Sequence, residues 1–445
     1  MKKNALLGLL FITAVLQAQE APKSYSYSLE QAINHALSNN YSAVNANRDI
    51  AIAKKKKWET TAMGLPQINA GLDYQNNFEL QKSLIPAQFF GGAPGEFAEV
   101  AFGTKHNMNA HSNLSQLIFD GSYIVALQAC KTYLKYYENA QKNTAIAVKE
   151  MVINTYGNVL LAEEGLAIIK KNKATLEKTL FETNETFKNG LIEEENVEQL
   201  QITLATLNSN LAYTERLLEI AQKMLKVTLG MELADTLVLT DKLDQLSVSN
   251  LDLAFAQKGF VVNDNINYQI VQNFTDQKQL ELKLEKSRAL PSLRANVNFG
   301  YNAFNNQFAF FTPSQHWMNY SNLGMSLSVP VFSSFMRSAR TQQARIAVDI
   351  AKTQLKEAAQ KLQLQYEKAK SDYEFSIEEY TTSKNNLRLA ERIEKKQEIK
   401  FGEGLSSSFE FSEAQRQLYS AQQNYLQSMV NIINKKAALA SVLNN

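Results

Sequence analysis

The chain is written twice, and no other feature limits its fold as much. Gly64-Leu65-Pro66-Gln67-Ile68 returns as Ala289-Leu290-Pro291-Ser292-Leu293, an offset of 225 residues. Leu114-Ser115-Gln116-Leu117-Ile118-Phe119 returns as Leu327-Ser328-Val329-Pro330-Val331-Phe332, an offset of 213. Phe187-Lys188-Asn189-Gly190-Leu191 returns as Phe401-Gly402-Glu403-Gly404-Leu405, an offset of 214. Order is kept, and one interval carries the 12-residue difference: Pro66 to Phe119 is 53 residues, Pro291 to Phe332 is 41. A duplicated pattern this long must be settled before any single element is assigned. We expect a first copy over residues 19–229, a connector over 230–253 and a second copy over 254–445. Each copy reads helix, strand, loop, strand, long helix, turn, helix.

The strands are expected at about 67–78, 107–118, 292–304 and 317–329, with period-2 alternation. Leu293, Ala295, Val297, Phe299, Tyr301 and Ala303 share one face, while Arg294, Asn296, Asn298, Gly300 and Asn302 share the other. Ile68, Ala70, Leu72 and Tyr74 likewise oppose Asn69, Gly71, Asp73 and Gln75. Alternation alone also fits a half-buried sheet in a soluble protein. About ten residues is also the span of a tilted transmembrane strand, and Tyr74, Phe119, Tyr301, Trp317, Tyr320 and Phe332 offer aromatic ends for a membrane interface. Four strands cannot close a barrel, and lipid does not tolerate an open edge. Several chains would have to share one: three copies give twelve strands and two give eight, and the arithmetic leaves both open.

Between the strands the chain is helical on an unusual scale. Gly and Pro together are 24 of 445 residues, so tight turns are few. After Gly121, the stretch to residue 188 has no Pro and two Gly, and 336–400 has neither. Nearly 70 helical residues would reach about 100 Å. The returning helices carry seams: Val197, Leu200, Leu204, Leu207, Leu211, Leu218, Ala221 and Leu225 in the first copy, and Leu418, Ala421, Tyr425, Ile432, Leu439 and Val442 in the second. Antiparallel hairpins follow, with tips near 189–194 and 403–408. A periplasm-spanning structural or adhesive coiled coil shares these helices but has no need of the strands.

Residues 1–18 read as an export signal: Lys2 and Lys3, an apolar run from Ala5 to Leu16, then Ala18 before Gln19. Elsewhere no apolar run reaches 18 residues, so strands must make any bilayer crossing. Lys plus Arg is 46 against 44 Asp plus Glu, and 44 against 44 without Lys2 and Lys3, which leaves no field to draw nucleic acid. Cys130 is the sole cysteine, read as a packed side chain, and excludes a disulfide framework or cysteine zinc site. His35, His106, His111 and His316 lack metal-ligand spacing, and no P-loop or G-x-S-x-G is present, so no catalytic group, metal or cofactor is expected. The long loop 81–105, with Phe89-Phe90-Gly91-Gly92, is expected outside the cell.

Taken in order, these features resemble the TolC-like outer-membrane efflux family. The opening Leu29-Glu30-Gln31-Ala32-Ile33 with Ala36-Leu37 and Asn40 is similar to the family's start. Gly64-Leu65-Pro66-Gln67-Ile68 before a strand, Phe119-Asp120-Gly121 at a helix entry and the two Gly-Leu tips are also similar to family features. The resemblance covers nearly the whole chain after the leader. It implies an α+β membrane protein: a homotrimer whose twelve-stranded β-barrel, four strands per chain, sits in outer-membrane lipid of a Gram-negative cell. A long antiparallel α-helical barrel would continue it through the periplasm. It further implies a passive exit duct for tripartite efflux or type I secretion. The partners are a periplasmic adaptor and an inner-membrane pump of the RND or ABC type. Adaptor contact would fall on Asn189, Gly190, Leu191, Glu403, Gly404 and Leu405. A constriction would map to Glu410 and Glu413, rings of carboxylates that favour cations. The chain departs from the best-known members in having Ser406-Ser407-Ser408 after Leu405, with no basic residue there to bridge helices.

Overall fold

The computed structural model describes residues 23–444, so the export signal lies outside the described residues. Strand β1 (Ser24–Tyr27) leads into α1 (Leu29–Asn39) and α2 (Tyr41–Ala62). Four strands follow: β2 (Gln67–Asn76), β3 (Lys82–Pro86), β4 (Phe97–Ala101) and β5 (His106–Asp120). The first copy ends with α3 (Gly121–Lys188) and α4 (Glu194–Leu229). The connector holds β6 (Thr236–Leu239), α5 (Leu243–Ser249) and α6 (Leu253–Ala256). The second copy has α7 (Ile266–Ser287), β7 (Ser292–Asn305), β8 (Trp317–Ser328), α8 (Met336–Gly402) and α9 (Ser408–Val442).

Two compact units result, and they do not coincide with the two copies. One gathers the chain up to Val44, Ala145–Gly259 and the chain from Tyr366 onward; the other gathers Asn45–Thr144 and Phe260–Gln365. Each unit takes a part of both copies, and α3 and α8 contribute to both.

The second unit holds an antiparallel sheet of order β2-β5-β7-β8. Because direction alternates, the starts of β2 and β7 and the ends of β5 and β8 share one end, where α2, α3, α7 and α8 attach. The opposite end carries the two loops. The longer contains a hairpin, β3 against β4, so segment 81–105 is ordered structure rather than a plain loop. At the helix end Asp120 caps α3, its carboxylate accepting from the Ser122 and Tyr123 amides at 2.7 and 3.3 Å. The second copy makes the same turn differently. Arg337 donates to the Pro330 and Val331 carbonyls at 2.7 and 3.2 Å.

The first unit packs around Val152, Tyr156, Leu225, Leu229, Val430, Ile432 and Ile433. The seam reading holds where helices meet: Val197, Leu200, Leu207, Leu225, Leu418, Ile432, Leu439 and Val442 are buried. Leu211 and Ala421 are not in that core. The connector is not merely a break in helix. β6 pairs in parallel with β1, and the Asp241 carboxylate beyond it accepts from the Leu29 amide at 2.6 Å. The buried Tyr156 hydroxyl lies 3.1 Å from both that carboxylate and the Tyr27 carbonyl. Burial, with Asp241 beside it, pushes the Tyr156 hydroxyl up from its ordinary range.

Candidate functional site: a two-faced sheet and twin helical tips

The sheet has one polar and one apolar face, and the registers show how far each extends. Asn69 pairs with Asn113, Asn113 with Asn298 and Asn298 with Asn322, an asparagine row across all four strands. Asn113 donates to Asn298, and Asn298 donates to Asn322 at 2.8 Å. Asn109, Asn302, Asp73 and His111 share this face, with His111 Nδ1 3.3 Å from the Asp73 carboxylate. Such a surface hydrogen-bonds water and holds little fixed charge. Opposite it lie Leu72, Tyr74, Val297, Phe299, Tyr301, Leu323, Met325 and Leu327, all exposed in the single chain. Both outer strands, β2 and β8, have an unpaired edge in the single chain. A sheet with a dry face, a wet face and two open edges is an incomplete wall.

Five of the six aromatics expected at a membrane interface lie at the margins of the apolar face or within it. Tyr74, Met108, Ala303 and Trp317 form one cross-strand row near the loop end, and Phe310 closes over Met108 and Ala303. Tyr74 also hydrogen-bonds His106 at 2.8 Å. Phe119 marks the helix end. It reaches the apolar side only because a bulge between Leu117 and Phe119 brings it opposite Leu293. Phe332 lies beyond β8 with Phe335 against it, and Tyr301 is intermediate, edge-on to Phe299. Ala303 to Leu293 is ten residues, about 34 Å along a strand, or about 24 Å of height at a 45° tilt.

Tyr320 is the exception. Its register partner is Gly300, so it stands on the asparagine face, with its ring over that glycine and its hydroxyl 3.3 Å from Asn109. Residue type alone does not fix the face on which an aromatic stands; parity along the strand does. Trp317 and Tyr320 are three apart, and in a strand odd spacing means opposite faces.

The tips, in the first unit, are twins. Gly190 and Gly404 have φ of 70° and 71°, the left-handed region that glycine enters without steric penalty. At each, the next residue's amide returns to a carbonyl five positions back, Leu191 to Thr186 at 3.2 Å and Leu405 to Lys400 at 2.8 Å. The glycine amides bond three back, to Phe187 and Phe401. This double closure satisfies the last carbonyls of α3 and α8. Leu191 and Leu405 project into solvent. Below them Leu176, Leu200, Leu207 and Phe411 pack together, with Phe401 stacked on Phe411 at 5.2 Å. Asn196 Oδ1 accepts from the Ser408 amide at 3.2 Å and ties one tip to the other.

Glu410 and Glu413 do not share a cleft. Glu410 caps α9: it accepts from Ser406 Oγ at 2.8 Å and the Ser407 amide at 3.1 Å, while Ser407 Oγ accepts from the Glu410 amide. The Ser406 hydrogen bond, then the Ser407 amide, hold its carboxyl below the usual range. It borders a cavity of about 700 Å³ between the tips, with Glu182, Glu193 and Glu398. Glu413 faces a groove of about 620 Å³ between α4 and α9, where Arg416 clasps it and Gln417 donates at 3.2 Å. Arg416, then Gln417, lower its pKa. Arg416 bridges within its own helix, while Lys400, at the end of α8, lies near enough to Glu410 to act on it through charge.

A helix-borne sheet with a polar face, an apolar face and open edges has the make-up expected of one segment of a barrel shared among chains. Residues 275–445 match the family described as outer membrane efflux protein. Over 418 residues the chain is 22% identical to the outer membrane protein TolC of Vibrio cholerae, covering 93% of this chain and 90% of that one. The fold extends the likeness through the first copy. The structure of CusC superposes with a TM-score of 0.75 at 16% identity, covering 94% of this chain and 92% of that chain. The CmeC outer membrane channel of Campylobacter jejuni gives 0.72 at 16%, covering 94% and 85%. Among the described residues no helix is long and apolar enough to cross a membrane, and no cluster of three or more ligating side chains could hold a metal.

Proposed function

We propose that this chain is the outer-membrane exit duct of a tripartite efflux or type I secretion system, a homotrimer that conducts substrate passively out of the cell. The observation that carries this is the four-stranded sheet: apolar on one face, asparagine-lined on the other, unpaired at both edges. Three copies give twelve strands, and four strands per copy keep every junction antiparallel, since β2 and β8 run in opposite directions. Nothing in transit needs a chemical step. A structural or adhesive coiled coil would require neither the wet face nor the open edges.

In this reading Asn189, Gly190, Leu191, Glu403, Gly404 and Leu405 meet the periplasmic adaptor, with exposed Leu191 and Leu405 as apolar anchors. An RND or ABC pump delivers from the inner membrane. Tyr74, Phe119, Tyr301, Trp317 and Phe332 sit at or near the lipid margins. Glu410 and Glu413 surround the constriction, with Glu413 largely neutralised by Arg416. Isolation from native membranes tests the assignment. The chain should fractionate with the outer membrane and co-purify with an adaptor and pump; recovery from the soluble fraction without partners would contradict it.

A further inference from the structure

The two copies let the sheet describe its own missing contact. The motif offsets carry β2 onto β7 by 225 residues and β5 onto β8 by 213. Applied to the first hairpin, they turn Gln67↔Ser115 into Ser292↔Ser328, and Leu72↔Ala110 into Val297↔Leu323. Both derived pairs are the ones observed in the second hairpin. The duplication therefore preserves pairing register and not only sequence order.

One junction remains, between β5 and β7, where the second strand of copy one meets the first strand of copy two. Shifted by the same offsets, it becomes the second strand of copy two against the first strand of copy one. In one chain those strands, β8 and β2, are the opposite outer edges of the sheet. We propose that β8 pairs with β2 of a second copy of this chain, in the register of the internal β5–β7 junction. Leu327 stands opposite Leu72 of the second copy, and Met325 opposite its Tyr74. Beyond a bulge at Val331, Phe332 stands opposite its Ile68. The inference rests on the shared-barrel reading and specifies its seam.

The residues support this register at three points. Leu114↔Val297 maps to Leu327↔Leu72 and Ser112↔Phe299 to Met325↔Tyr74, so apolar meets apolar. On the other face Ser326 and Ser328 meet Asp73 and Gly71, so polar meets polar; a one-residue slip would reverse every pair. The internal bulge between Leu117 and Phe119 maps to Pro330 through Phe332. Pro330 has no amide to give a ladder, and the carbonyls of Pro330 and Val331 are taken by Arg337. A bulge is where a strand tolerates both.

Cysteine pairs in the full-length protein with Cys130→Ala test the register. Leu72→Cys with Leu327→Cys, and separately Tyr74→Cys with Met325→Cys, are oxidised in detergent-extracted membranes beside single-cysteine controls. The control pairs Ala70→Cys/Leu327→Cys and Tyr74→Cys/Leu327→Cys represent two-residue slips, which keep the faces. Directly opposite positions lie within reach of a disulfide, and positions two residues off do not. Both proposed pairs should give covalent multimers no larger than trimers, at least ten times the yield of either slip pair. A higher yield from a slip pair, or a trimer by light scattering that no pair cross-links, overturns the register and leaves the shared barrel standing. A chain that stays monomeric in detergent and cross-links nowhere overturns both.

Discussion

Gly404 illustrates how a single residue carries a tip. An added Cβ would meet nothing within 4 Å, so replacing it would strain only the backbone at φ of 71°. Gly404→Ala should therefore lower stability by about 1–2 kcal/mol, with Gly404→Asn costing less, as chemical denaturation would measure. Equal stability of all three would mean the turn relaxes to another conformation. The carboxylates make a second case. Glu413 is held by Arg416, and Glu410 is occupied with capping, so neither is a bare charge. Arg416→Ala should raise the cation-to-anion permeability ratio of the open channel, and Glu413→Ala, which leaves Arg416 unpaired, should lower it. A fall with Glu413→Ala beside no change with Arg416→Ala, read from reversal potentials, would return Glu413 to a free inward ring. The sequence locates both glutamates by their distance from Gly404 but not the partners of either. The Arg416 clasp, at i+3 from Glu413, is equally local but emerges only once rotamers are known.

At the scale of elements, the helices and the four wall strands were legible because periodicity and the absence of Gly and Pro are properties of the chain itself. What escaped depends on partners distant in sequence. β1 is four residues long and exists through β6, over two hundred positions away. The β3–β4 hairpin lay hidden in a loop without clean alternation, and the bulge that redirects Phe119 is visible only in register. Helix α8 carries a testable pH response. Glu394 is half-buried, and desolvation, then Glu398, raise its pKa, with Lys395 opposing. Its proton is thus held more tightly in the folded state, so stability falls as pH rises from the ordinary carboxylate range through the raised value. Glu394→Gln should raise the thermal midpoint at pH 7 and coincide with the parent near pH 4. A midpoint at pH 7 below the parent's would show that the ionised carboxylate contributes a favourable contact.

For the whole molecule, the duplication explains why a single chain looks unfinished. Each compact unit draws on both copies, so the repeats are not independent domains but interleaved halves of one wall and one helical body. The single chain leaves Leu72, Met325 and Leu327 on an uncovered apolar face beside unpaired edges, a state that water would turn toward aggregation and lipid would not admit. Assembly of identical copies in a membrane resolves both. Single-channel recording of the purified protein in a planar lipid bilayer tests this most directly. Discrete, ohmic conductance steps from detergent-stable trimers, enlarged when the tips are loosened by Gly190→Pro with Gly404→Pro, are the predicted result. A protein that inserts as a trimer yet leaves the bilayer electrically silent in both forms would contradict the account of a water-filled passage.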